Sequence, residues 1–138
     1  MFTNPDQEQI KKLLRDSKTI AVVGLSDKPH RTSYQVSEAM QRAGYKIIPV
    51  NPTITESLGE KSYQRLSDVD QPIDIVNVFR RSDFLPKIAQ EAADIDFKAF
   101  WGQQGVIHEE AYEALKNHDG LVIMDMCIKV AHAILGEK

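Results

Sequence analysis

Apolar residues along this chain follow two different periods. Five short runs are nearly continuous: residues 19–23, 46–50, 73–79, 98–101 and 121–124. Runs of this length, rich in Val, Ile and Phe, suit strands buried on both faces. Between them apolar residues recur at three- and four-residue spacing: Ile10, Leu13 and Leu14; Val36, Ala39, Met40 and Ala43; Leu85, Ile88, Ala89 and Ala92; Val130, Ala131, Ile134 and Leu135. That spacing lays one stripe on a helix. A further helix is expected over 107–117, with Glu109 and Glu110 at the favourable end of its dipole. The alternation predicts an α/β protein: an open parallel five-stranded sheet, helices on both faces, right-handed crossovers.

Turn and cap residues divide these elements. Asn4 is expected to cap the first helix, with Pro5 at its first position. Thr32 or Ser33 is expected to cap the second, and Thr32-x-x-Gln35 has the spacing of a capping box. Gly44 ends that helix, and Ser82 is expected to cap the next. Pro49 belongs near a strand end or at a bulge. Residues 53–70 are polar and weakly patterned. They are expected to form a loop with one helical turn, Tyr63 and Leu66 pointing inwards.

Composition narrows the classes. A chain of 138 residues with 42% hydrophobic and 27% charged residues suits one domain, 1–138, with one core. A net charge of −3 and no basic stretch argue against nucleic acid as a partner. No apolar run reaches membrane-helix length, and residues 1–5 lack the features of a signal peptide, so no membrane partner is expected. The single cysteine, Cys127, has no internal disulfide partner, which fits a reducing cytoplasm.

Ligands of open parallel sheets bind beyond the carboxyl ends of the strands. Gly24, Ser26, Lys28, Arg31, Thr32 and Ser33 follow the first strand. Asn51 and Pro52 follow the second, and Val78, Phe79, Arg80 and Arg81 end or follow the third. Trp101, Gln103, Gln104 and Gly105 follow the fourth, and Asp125 and Cys127 the fifth. A strand ending in glycine, then a turn opening a helix, is a phosphate-binding arrangement, because the first helical amides are free. Arg31 adds a full positive charge there. Gly24-x-Ser26 lacks the second glycine of the dinucleotide fingerprint, and Asn51 stands where a nicotinamide site usually offers an acid. Both departures count against an NAD(P) oxidoreductase.

Arginine forks suit phosphates, although Arg80 and Arg81 also read as a solvated pair beside Asp83. Trp101 reads equally as core or as the flank of a ligand. Cys127 opens the last helix. It reads as a redox thiol or as a small buried apolar residue. The four histidines lack metal-ligand spacing, and no catalytic set stands out.

In order and spacing the chain resembles the small bacterial and archaeal CoA-binding proteins. These are Rossmann-like domains akin to the N-terminal domain of the succinyl-CoA synthetase α subunit. The resemblance rests on Ala21-Val-Val-Gly24-x-Ser26 with Pro29, Arg31 and Ser33; Gly44-Tyr45; Ile48-Pro-Val-Asn51-Pro52; Asp74-Ile-Val-Asn-Val-Phe79-Arg80; Trp101-x-Gln103-x-Gly105; and Met124-Asp-Met-Cys127. It implies coenzyme A, free or acylated, at the strand ends. Ser26, Arg31 and Ser33 would donate to phosphates, and Asn51 and Pro52 would lie beside the nucleotide. Val78, Phe79 and Arg80 would flank adenine and ribose, and Trp101, Gln103 and Gly105 would border the rest. A module without catalysis of its own is expected. A CoA-ligase component completed by a partner chain is the alternative, alongside the NAD(P) oxidoreductase. A protein partner or homo-oligomer is left open.

Overall fold

The computed structural model describes residues 2–136. The chain runs α1 (Gln7–Asp16), β1 (Thr19–Val23), α2 (Thr32–Arg42), β2 (Lys46–Val50), a hairpin of β3 (Glu56–Ser57) and β4 (Glu60–Lys61), and β5 (Ile75–Val78). It continues through α3 (Leu85–Ala92), β6 (Ala99–Gly102), α4 (Glu109–Leu115), β7 (Leu121–Ile123) and α5 (Ile128–Leu135). The main sheet is parallel and five-stranded, in the order β2-β1-β5-β6-β7. The order reverses between β1 and β5. A switch of this kind opens a crevice beyond the strand ends.

Alternate residues of each strand feed two cores. Ile20, Val22, Ile47, Ile75, Ala99, Trp101 and Ile123 pack under α1, α2 and α5. Ala21, Val23, Ile48, Val50, Val76, Val78, Phe100 and Val122 pack with α3 and α4. Burial on both faces explains why the strands read as continuous apolar runs. The exception is Asn77, a 1% exposed amide in the central strand β5.

Several expected caps move. Asp6, not Asn4, caps α1 and forms a capping box with Gln9. Asn4 instead pairs with both backbone groups of Met124, at 2.9 Å each, and closes the free edge beyond β7. An amide side chain offers one donor and one acceptor, as a strand backbone does. Arg31 is the N-cap of α2, and no side chain caps that end. Gln35 turns to the Pro29 and His30 carbonyls, so the expected capping box is absent. Ser82 opens a short 3-10 turn over Ser82–Phe84 ahead of α3 rather than capping it. Its hydroxyl donates to Gly105 O and accepts from Ile107 N.

The weakly patterned segment holds the β3–β4 hairpin and a 3-10 turn over Leu66–Asp68. Leu66 is buried, while Tyr63 is half-buried and donates to Asp70. Pro49 lies inside β2, where the edge position lets the strand do without its N–H. No helix among the described residues is long and apolar enough to cross a membrane.

Candidate functional site

The site begins at Gly24, where the chain leaves β1. Its φ is +88°, and an added Cβ would stand 2.4 Å from the Phe79 carbonyl oxygen and 3.0 Å from Arg80 Cδ. Only glycine fits both the conformation and that approach. Gly24 N donates to Val50 O and Phe79 N donates to Val23 O, so the ends of β2, β1 and β5 are tied at one level.

Two clefts meet at Gly24 and Arg80. The smaller, about 360 Å³, lies over the ends of β1 and β2. Val23, Val50 and Leu66 supply apolar wall, Arg65 and Lys87 supply charge, and Asn51 and Phe84 also line it. Phe84 is 38% exposed and carries the Arg80 guanidinium 4.4 Å above its ring. The larger cleft, about 710 Å³, lies over the ends of β1, β5 and β6. Arg31, Thr32 and Ser33 bring the start of α2 to it, Gln103 and Gly105 the loop after β6, and Cys127 the start of α5.

The first amides of α2 have no side-chain cap and open towards this cleft. Free amides and the helix dipole favour an anion there. Arg31 is exposed and has no ion-pair partner among the described residues. Arg81, in contrast, faces Asp83 at 3.8 Å and lies over Phe84. Asp125 shapes the far wall. At φ +58° it accepts from Gly105 N through its carboxylate and donates its own N–H to Val106 O. The loop after β6 is thereby clamped to the loop after β7.

Of the residues singled out from sequence, Gly24, Asn51, Pro52 and Arg80 line the smaller cleft. Gly24, Arg31, Thr32, Ser33, Phe79, Arg80, Gln103, Gly105 and Cys127 line the larger. Ser26, Lys28, Val78 and Trp101 line neither. Ser26 is committed to the loop itself. Its N–H donates to Ser33 Oγ, its hydroxyl accepts from Lys28 N, and its carbonyl accepts from Ser57 Oγ. Lys28 is exposed, and Val78 is fully buried in the sheet. Trp101 is fully buried as well, and its indole N–H donates to Met126 O behind the cleft wall. Trp101 is thus a core residue, and its neighbours Gln103 and Gly105 line the larger cleft. Asn51 lines the smaller cleft, yet its side chain donates to Leu25 O and accepts from Thr53.

Arg65, Phe84 and Lys87 carry no local signal of a site. Arg65 lies in a segment without clear period, and Phe84 and Lys87 lie beyond the first residues after β5. Asn77 carried a usable signal, a lone amide within an otherwise apolar strand.

Comparison with known proteins decides the family. The CoA binding domain family matches residues 18–133. The chain belongs to that family. It is 60% identical over 131 residues to the uncharacterized protein YneT of Bacillus subtilis, covering 95% of this chain and 97% of that one. It is 28% identical over 80 residues to an ADP-forming acetate–CoA ligase of Methanocaldococcus jannaschii, covering 58% of this chain and 11% of the ligase. Among solved structures, a Thermus thermophilus protein superposes with a TM-score of 0.90 at 32% identity, covering 95% of this chain and 99% of that one. The Rossmann-like α/β architecture read from the sequence is thus the fold of this CoA-binding family.

Proposed function

We propose that this CoA-binding domain binds coenzyme A or an acyl-CoA along the rim formed by the two clefts, without catalysis of its own. The observation that carries the reading is the meeting of both clefts at Gly24 and Arg80, beside the uncapped start of α2. Coenzyme A is long, anionic in the middle and thiol-tipped at one end. The nucleotide end suits the smaller cleft, where Phe84 offers a ring face and Arg65 and Lys87 offer charge to phosphate. The diphosphate crosses Gly24, where a side chain would obstruct it, and meets Arg31 and the amides of Thr32 and Ser33. The arm then runs into the larger cleft towards Gln103 and Cys127. The single cysteine fits a cytoplasmic setting.

Calorimetry with CoA, acetyl-CoA, NAD(H) and NADP(H) tests the reading. Saturable binding of CoA or acetyl-CoA, with no heat from the nicotinamide dinucleotides, is expected. A clear NAD signal without CoA binding would favour the oxidoreductase reading instead. Turnover of an acyl-CoA by the purified chain would remove the statement that it lacks catalysis. Turnover that appears only when a second protein is added would favour a ligase component completed by a partner. Cys127 lines the cleft into which the arm runs and remains the candidate redox thiol. A CoA mass adduct formed under oxidising conditions and released by reductant is its signature.

A further inference from the structure

Gln103 has one side-chain end satisfied and one end open. Its Oε1 accepts from the Ile128 amide at 3.2 Å and from Asn77 Nδ2 at 3.3 Å. Asn77 Nδ2 also reaches the Trp101 carbonyl at 3.3 Å. A backbone N–H can only donate and a backbone carbonyl can only accept. The Gln103 atom facing Ile128 is therefore oxygen, and the Asn77 atom facing Trp101 is nitrogen. Neither amide can be reversed without setting like groups against each other. This leaves Gln103 Nε2 as the outward end, and it has no hydrogen-bond partner among the described residues. The residue is only 5% exposed, and that small opening lies on the larger cleft. Asn77 and the first amide of α5 thus hold a donor with unspent protons at the floor of the cleft.

The surroundings narrow what this donor receives. The arginines that line the cleft, Arg31, Arg80 and Arg81, are all exposed and lie at its mouth. The buried side chains that line the cleft away from the arginines, Gln103 and Val106, carry no charge. A phosphate drawn down to Gln103 would shed water with no buried cation to offset the loss. A neutral carbonyl loses far less and needs one donor. We infer that Gln103 Nε2 receives a carbonyl oxygen from the arm of the ligand, so that the arm points to the floor and the phosphates stay at the rim. The inference rests on the coenzyme A reading and goes beyond it in naming which part of the ligand the floor recognises. The carbonyl belongs either to an amide of the arm or to the thioester of an acyl-CoA.

The test is calorimetry on the full chain and on Gln103→Glu, with CoA, acetyl-CoA and ADP, which has the nucleotide but not the arm. Gln103→Glu keeps an oxygen for Ile128 and Asn77 and turns the open donor into an acceptor. Acetyl-CoA affinity is expected to fall roughly 10- to 100-fold, since an acceptor then faces an acceptor, and CoA affinity falls with it where the oxygen belongs to an arm amide. ADP affinity is expected to change less than about twofold, as no contact of the nucleotide is lost. Gln103→Met, with neither donor nor charge, should give the same split between acetyl-CoA and ADP. Loss of a wild-type preference for acetyl-CoA over CoA assigns the oxygen to the thioester. An equal fall for both assigns it to an arm amide. Unchanged binding of both CoA and acetyl-CoA in both variants, or an equal loss for ADP, CoA and acetyl-CoA, overturns the inference while leaving the coenzyme A reading intact. A wild-type chain that binds neither CoA nor acetyl-CoA overturns both.

Discussion

The two clefts differ in how their polar groups are held. In the larger cleft several are fixed by the fold, next to the exposed side chains of Arg31, Arg80 and Arg81. The amides of α2 are set by its helix, Gln103 by Asn77 and Ile128, and Gly105 by the Asp125 carboxylate. In the smaller cleft Asn51 is fixed by Leu25 and Thr53, but the charged groups, Arg65, Lys87 and Glu91, are the ends of long side chains over an apolar wall of Val23, Val50 and Leu66. Fixed groups lose little entropy when a ligand arrives, whereas long exposed cations lose rotamer freedom to make each contact. On the proposed coenzyme A reading, the larger cleft is therefore the discriminating half. The smaller contributes area and screened charge.

Substitutions can break this contrast, and the largest effect is expected at the shared boundary. Gly24→Ala combines a disfavoured φ with a collision against the Phe79 carbonyl. It should cost about 2–4 kcal/mol of stability and abolish CoA binding, read by thermal melting and calorimetry. Arg31→Ala removes a cation without an ion pair among the described residues, beside the start of α2. CoA binding should weaken by about 1.5–3 kcal/mol with little change in melting temperature. Unchanged affinity would take Arg31 out of the site.

Tyr45 lies outside both clefts and provides a control. Its buried hydroxyl donates to the Leu14 carbonyl at the end of α1, and burial pushes its pKa from 10 up to about 12. The fold favours the protonated form, so this contribution is full below about pH 10 and lost as pH rises towards about 12. Tyr45→Phe should cost about 1 kcal/mol in chemical denaturation at neutral pH and leave CoA affinity unchanged. The smallest effect is expected for Lys87→Ala, about 0.5 kcal/mol in CoA affinity and vanishing at high salt. A loss at Lys87 as large as that at Arg31 would reverse the ranking of the two clefts.

The sheet was legible because residues buried on both faces leave continuous apolar runs, and the two core faces follow from their alternation. Gly24 was legible because a glycine between a strand and a helix marks a backbone turn that a side chain would hinder. The caps were less so. Asn4 and Ser82 are good cap residues, but each is used in a contact distant in sequence, with Met124 and with Gly105 and Ile107. Ser26 was expected as a phosphate donor from the family resemblance, and its N–H, hydroxyl oxygen and carbonyl are engaged by Ser33, Lys28 and Ser57, contacts that no local pattern announces. Arg65 reaches the rim because the hairpin and the Leu66 turn fold back over β2, and no local period announces that return. Asn77 in β5 pairs with Gln103, just past the end of β6, and the register of β5 with β6 brings them together.

The central claim is that one ligand lies across Gly24 and fills both clefts. Solution NMR of the isotope-labelled chain titrated with CoA tests it most directly. The backbone amides of Gly24, Thr32, Gly105 and Arg65 should shift together and saturate at one equivalent. With ADP, the amide of Arg65 should move and that of Gly105 should stay. A CoA titration that leaves these amides unmoved, or moves those of only one cleft, would contradict the account.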